Sequence, residues 1–566
     1  MQFWKRLAAL ALAVGIGVSL LAGCGQKEPA EVPAEGFSLS VCVGAVPDTL
    51  DPIYAENAGD QTILNHLYEN LMRIAVDEEG NETVALGMAK SIEKERNFDG
   101  TVTYTFRLRD AKWSDGKYVK ADHFVYAWQR LVNPVCNSPY ADLLSIVCGY
   151  EEARVRRDMT LLQVKAKNNE TLVVTLKGDY DWFLTQICTA TATMPLREDV
   201  VQKLKDLGIQ REEEFGRKRL WWEETAQLVT NGVYHSEEYH EGAPLRLHRN
   251  KYYVREEGAK GAHELLFHFA SSAEAAQILY QGNVVDVAWP LTETRLTELS
   301  AQENWEGGTE LETYAVLLNT ESPLLQDDRI RHAVSLVVDR NEIAPLAGAM
   351  AVPAEGLVPA GVPDREGGDF RAKGEAILDN DPANYKASCA EAKNILANAG
   401  YAGSGTLQGL EYLYEDDGSN AAVAEILCRQ WQKQLGITVT PRGVTKTELW
   451  AALRSGNYSL AGAELGSEVN DAEGFLTDWT SKSPDNVINY QSSAYDTLMT
   501  IVATAKDVSA RMGCLYDAET LLLNNHAIVP LYTAKTGWEG RETLKGVCRD
   551  PRGWFSFTDA EWVTEN

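Results

Sequence analysis

The chain lacks most of the signatures that announce an enzyme. There is no glycine-rich Walker loop, so an ATP-driven step would have to reside on a separate chain. No Cys-x-x-Cys pair occurs, which leaves zinc-site and thioredoxin-like readings weak. Gly403-Ser404-Gly405 does not make the Gly-x-Ser-x-Gly turn that exposes a serine nucleophile. His263-Glu264-Leu265-Leu266-Phe267-His268 invites comparison with zinc proteases, which place two histidines four residues apart on one helix face. Here they are five apart, about 140° off on a helix and on opposite sides of a strand. The apolar alternation favours a strand, so no metal site and no cofactor are expected. Carboxylates are so numerous that no Asp/Glu pair stands out for glycoside hydrolysis. Positive charge is short: 53 Lys and Arg stand against 82 Asp and Glu, a formal net charge of −29. Such a surface repels nucleic acid and anionic lipid. Beyond the N-terminus no apolar run is long enough to span a bilayer, and no solenoid-type repeat is present.

The N-terminus carries the first positive signal. Lys5 and Arg6 precede an apolar run over 7–21, the pattern of a secretory signal peptide. The run ends in Leu21-Ala22-Gly23-Cys24, which resembles a bacterial lipobox; the alternative is an ordinary small-residue cleavage site beside a cysteine. A diacylated Cys24 would anchor the chain stably through two acyl chains. Residues 25–36, with Glu, Pro and Ala, then form a solvated tether. Beyond Cys24 the sequence has Cys42, Cys136, Cys148, Cys188, Cys389, Cys428, Cys514 and Cys548. An exported chain permits disulfides, and cysteine also serves as a small buried apolar residue. The spacing assigns no partners.

The remaining length suffices for about two or three domains. Residues 38–46 read as a strand and 61–72 as a helix, with Leu64, Leu67, Tyr68 and Leu71 on one face. Within 104–134, Tyr104, Phe106 and Leu108 alternate with polar residues as a strand does, Asp115-Gly116 marks a turn, and Asp122 suits a helix N-cap. Phe124, Val125 and Trp128 point that helix toward a core, and it stops before Pro134. Strands are expected at 171–176, 230–234, 245–253, 264–269 and 284–288, with a helix at 273–280 between the last two. This strand–helix–strand rhythm marks an α/β domain. A second rhythm follows: a strand at 314–318, a helix capped by Asp327 or Asp328, helices at 390–399 and 421–435, a strand at 437–440, a helix at 447–453 and a strand at 458–463.

The 104–134 segment resembles the signature of the peptide/nickel family of bacterial extracytoplasmic solute-binding proteins, family 5, the receptors of ATP-driven importers. Thr230-Asn231-Gly232-Val233-Tyr234, Arg249-Asn250 with Tyr253, Asp328-Arg329-Ile330-Arg331-His332-Ala333, Val338-Asp339-Arg340, Leu435-Gly436-Ile437 and Ile528-Val529-Pro530-Leu531-Tyr532 extend the likeness in order along the mature chain. Trp128-Gln129-Arg130 and Ser138-Pro139-Tyr140 are most similar to the oligopeptide-binding lipoproteins. The resemblance implies an α/β, two-lobed periplasmic-binding-protein-like fold, type II in its large cluster C form, with an additional domain on the first lobe. It implies a signal peptide over 1–23, a lipidated Cys24 and tether over 24–36, and lobe I from 37–68, 194–312 and 534–566. The additional domain is then 69–193 and lobe II 313–533.

It also implies ligand capture without turnover, with an oligopeptide as ligand and ABC permease and ATPase subunits as partners. The protein would sit outside the cytoplasm, lipid-anchored to the cell membrane. In oligopeptide receptors an Asp takes the peptide's ammonium; Glu468 falls on that position in the 466–471 run, with Asp471 in reserve and Asn470 beside it. Glu468 is alternatively an ordinary surface charge, and Tyr140 is either a ligand contact or a core residue. The Glu56-Asn57-Ala58 loop matches a backbone-contacting loop, and Ala463, Glu464, Leu465 and Gly466 match the opposing edge. The family's basic groups for the peptide's C-terminal carboxylate do not map cleanly onto this chain, which leaves ligand length and C-terminal recognition open. Trp221-Trp222 suits either a ligand platform or an anchor for the charged insertion around it. The competing functions are the same receptor class with a metal chelate, a sugar or a signalling peptide as ligand, and a secreted lipoprotein hydrolase.

Overall fold

The computed structural model describes residues 36–76, 82–180, 182–210, 220–254, 261–302, 308–364, 367–401, 409–416, 418–467, 469–505 and 507–563. The signal sequence, Cys24, the tether and Glu468 lie outside these residues.

Ser38–Val43 forms the centre of the first sheet. It runs parallel to Glu264–His268 on one side and to Val287–Trp289 on the other. Antiparallel strands Leu245–Arg249, Tyr234–Ser236 and Glu539–Gly540 complete six. Leu39, Val41, Cys42 and Val43 are all buried, as a strand covered on both faces requires. Helix Ala273–Gln281 makes the crossover between the two outer parallel strands.

The second sheet orders Val352–Pro353, Ile528–Thr536, Gly308–Leu318, Leu460–Gly466, Leu410–Glu415 and Val439–Val444. Apolar clusters cover both its faces. Helix Asp328–Leu336 starts where the Asp327 carboxylate accepts from the Arg329 N–H at 3.0 Å. Helix Asn420–Leu435 ends at Gly436, whose φ of 72° needs no Cβ. The chain changes sheets between Ser300 and Gly308 and again between Thr536 and Glu539. The lobe borders expected at 312/313 and 533/534 therefore fall inside strands of the second sheet.

A four-stranded antiparallel sheet, Ala89–Arg96, Val102–Leu108, Thr171–Leu176 and Val164–Asn168, packs into the core of the first lobe. Helix Ala121–Val132 covers it with Phe124 and Trp128 buried and Val125 half-buried. Its cap is Lys120, and the expected cap Asp122 lies within the first turn. The His123 ring nitrogen Nδ1 accepts from the Lys120 N–H at 3.0 Å and from the Trp113 indole at 3.1 Å, which sets the helix start two residues earlier.

Two expected elements change identity. The helix expected over 61–72 runs from Ala58 to Leu67, because Asn57 caps it through the Asp60 N–H at 2.8 Å. It stops because Asn231 pairs with both backbone groups of Glu69, accepting from N–H at 3.2 Å and donating to the carbonyl at 2.9 Å. Leu71 is buried from extended chain, and Met72–Val76 is a strand. The Thr-Asn-Gly-x-Tyr motif is thus a docking element, with its strand beginning only at Tyr234. Gly232 belongs there because a Cβ would meet the Leu67 carbonyl carbon at 2.7 Å. The strands expected at 245–253, 284–288 and 437–440 are observed as Leu245–Arg249, Val287–Trp289 and Val439–Val444.

The eight cysteines among the described residues are free, and Cys42, Cys188 and Cys389 are buried. No helix of the described residues is long and apolar enough to cross a membrane. His263 and His268 sit on the 264–268 strand and its flank, and no metal-holding cluster occurs among the described residues.

Candidate functional site

A cleft of about 580 Å³ lies between the two large sheets. One wall comes from the first lobe, through Ala55, Glu56, Ala58, Gln61 and Tyr140. This wall is set from behind. The Asp60 carboxylate accepts from the Asp48 and Thr49 N–H groups, each at 3.1 Å, and pulls the 48–57 loop onto the helix. Burial raises the Asp60 pKa to about 6. Arg130 forks onto Asp51, with Nη1–Oδ1 at 2.6 Å, and the Trp221 indole donates to Asp51 Oδ2 at 2.9 Å. Tyr140 donates to the Ala55 carbonyl at 2.9 Å and its ring is buried.

The opposite wall is strand Leu460–Gly466 with its neighbour Gly308–Leu318. They pair in the register Glu312↔Gly466 and Tyr314↔Glu464. On its other side, Leu460–Gly466 pairs with Leu410–Glu415 only at Leu460↔Tyr412 and Ala461↔Leu413. Past Ala461 the two strands part, and among the described residues no strand covers the 462–466 edge that borders the cleft. Gly462 is required here, since a Cβ would overlap the Tyr412 and Tyr314 hydroxyls.

Of the residues expected at a site, Glu56, Ala58, Tyr140, Ala463, Glu464, Leu465 and Gly466 come together in the cleft lining. Asn57, Asn470 and Asp471 are not part of that lining. Asn57 is the helix cap already described. The Asn470 N–H donates to Gln186 Oε1 at 2.9 Å. Asp471, the reserve partner for an ammonium, is turned inward: it caps helix Ala472–Leu476 and binds Arg511 Nη2 at 2.8 Å. Glu468 lies outside the described residues. Trp221 is buried on Asp51 and is an anchor, not a ligand platform.

Other lining residues carried no usable motif: Glu310, Glu312, Trp289, Asp478 and Arg549. Trp289 ends a central parallel strand, and such strand ends border ligand crevices in open α/β sheets; that was the available signal. The lining holds seven carboxylate and four basic side chains. Burial raises the pKa of Glu310 and Glu312. Asp478 is raised to about 6 by burial and then by its neighbours Asp485 and Asp142. Burial lowers the Arg549 pKa, against the pull of Glu310 and Asp550. The lobes also touch directly, through the Trp182 indole donating to Glu473 Oε2 at 2.9 Å.

A cleft between two α/β lobes, one wall ending in a strand edge that no described strand covers, defines a binding protein with an inter-lobe site. The bacterial extracellular solute-binding proteins, family 5, match residues 83–487, and the chain belongs to that family. It is 28% identical over 535 residues to the periplasmic oligopeptide-binding protein OppA of Escherichia coli K12, covering 92% of each chain. It is also 28% identical over 491 residues, 86% of each chain, to the probable deoxycholate-binding periplasmic protein YgiS of the same strain. The OppA structure from Burkholderia pseudomallei superposes with a TM-score of 0.71 at 24% identity, covering 94% of this chain and all of that one, which shows the shared two-lobed fold.

Proposed function

We propose that this chain is the lipid-anchored substrate-binding receptor of an ABC importer and that it captures oligopeptides in the inter-lobe cleft for delivery to a permease. The observation that carries this reading is the uncovered 462–466 strand edge facing the Ala55–Ala58 loop. An extended peptide adds to such an edge through backbone hydrogen bonds, which recognise what all peptides share. The cleft volume lies within the ~300–1,000 Å³ of small-ligand sites. Kinship with oligopeptide-binding proteins supports the same ligand class. Glu468 would take the peptide's ammonium, Tyr140 and residues 56–58 would line one side of the backbone, and 463–466 the other. The anchor is Cys24, acylated outside the cytoplasm.

Native mass spectrometry of the purified protein should find co-purified peptides, and incubation with peptides should give stoichiometric binding with no product. In calorimetry, Glu468→Gln and N-acetylation of the peptide should each weaken binding by about 2–5 kcal/mol, and the two losses should not add. Equal binding of free and acetylated peptide would remove Glu468 from this role. Deoxycholate belongs in the same titrations, and binding of it in place of any peptide would overturn the ligand assignment.

A further inference from the structure

Arg549 is the anomalous residue of the cleft. Its side chain is only 4% exposed, and its Nε and Nη1 atoms are buried without a hydrogen-bond partner. The nearest carboxylate, Glu310, stands 3.8 Å from Nη2, beyond hydrogen-bonding distance. The adjacent Asp550 is already taken: Arg552 binds both its oxygens, at 2.7 and 2.8 Å. The guanidinium is held rather than loose. Cys548–Arg549 pairs with Phe555–Ser556, and the turn between them closes through Gly553 N–H to the Asp550 carbonyl at 2.7 Å. Trp289 and Phe555 flank it, with ring centroids 5.9 and 5.8 Å from Cζ.

A buried guanidinium with open donors is costly unless an anion completes it. Its planar fork of N–H groups fits a carboxylate. We propose that Arg549, backed by Trp289, is the subsite for a carboxylate of the bound peptide, supplied by its C-terminus or by an acidic side chain. This rests on the peptide-receptor reading above. It supplies the anion-binding group that sequence comparison leaves unassigned, and it places the group on the C-terminal ribbon of the chain. Glu310 then acts as a weak internal counter-charge that the ligand must outcompete.

The test uses calorimetry on the full mature chain with tri-, tetra- and penta-alanine, their C-terminal amides, and amidated versions carrying one Glu. If the C-terminus is the source, amidation weakens wild-type binding about 30-fold or more. Arg549→Met weakens the free acid equally and binds acid and amide alike. If a side chain is the source, the Glu-bearing amides bind tighter than the alanine amides, and only they lose affinity in Arg549→Met. Glu310→Gln should raise affinity several-fold, relative to the plain amides, for the peptides whose carboxylate Arg549 takes. A folded Arg549→Met that binds every peptide as wild type does overturns the proposal. Should that variant fail to fold, Glu310→Gln overturns the proposal if neither the free acids nor the Glu-bearing amides gain affinity relative to the plain amides. Absence of any peptide binding to wild type would instead sink the peptide-receptor reading, and is distinguishable because it does not depend on the variants.

Discussion

Arg130→Met tests whether the cleft wall is held from behind. Arg130 reaches both oxygens of Asp51, and their side chains are 9% and 3% exposed. Asp51 also takes the Trp221 indole and directly precedes the short helix Pro52–Tyr54, which leads into the lining residues Ala55, Glu56 and Ala58. Methionine keeps the stem's apolar packing and removes the charge. Asp51 then stays buried with one neutral donor. Breaking a buried pair from one side costs about 3–5 kcal/mol. Proteins of this size lose roughly 3 kcal/mol per molar urea or more, so the midpoint of first-lobe unfolding should fall by on the order of 1 M. Asp51→Asn with Arg130→Met should recover most of that loss, because no unpaired charge remains buried. Urea unfolding followed by tryptophan fluorescence, with limited proteolysis of the 48–58 loop, reads both effects. A single variant that unfolds within 0.2 M (roughly the precision of such midpoints) of wild type would refute the reasoning.

Asp478 is raised to about 6, above its unfolded value. A raised carboxyl favours the folded state most below the unfolded pKa and loses that contribution as pH rises through the folded one. Asp478→Asn should therefore match wild type near pH 4 and be more stable by about 1–2 kcal/mol at pH 7; an equal difference at both pH values would count against it. Asp60, also near 6, keeps part of the pH slope in the variant. Gly462→Ala drives a methyl into the Tyr412 and Tyr314 hydroxyls and should cost about 1–3 kcal/mol, read as a lowered melting temperature of the second lobe. Cys24→Ala should release the protein from the membrane or block its processing, checked by cell fractionation and the mature N-terminus; unchanged attachment would defeat the lipobox reading.

Local order in this chain is written where short-range chemistry decides it. The alternation of Tyr104, Phe106 and Leu108, the Asp327 cap and the Gly436 stop are each set by neighbours within a few residues, and strands and helices appear there. The 61–72 helix is the counter-example. Its apolar spacing is real and its residues are buried, but Asn231, 162 positions away, pairs with Glu69 and ends the helix at Leu67. Periodicity reports burial; it does not say whether a helix or an extended segment does the burying.

The same division runs through the candidate site. The sequence alone established the two-lobed family fold and, by likeness of segments, brought seven of the expected residues to one cleft. It offered Asp471 in reserve, a charge that looks available in a string and is spent on Arg511 in the fold. It was silent on Arg549, Glu310 and Trp289, which come from three distant stretches and form a unit only because two sheets meet. Whether a charge is paired depends on what lies within about 4 Å of it in space. A sequence lists the charges, and only the tertiary structure decides which of them are left for a ligand.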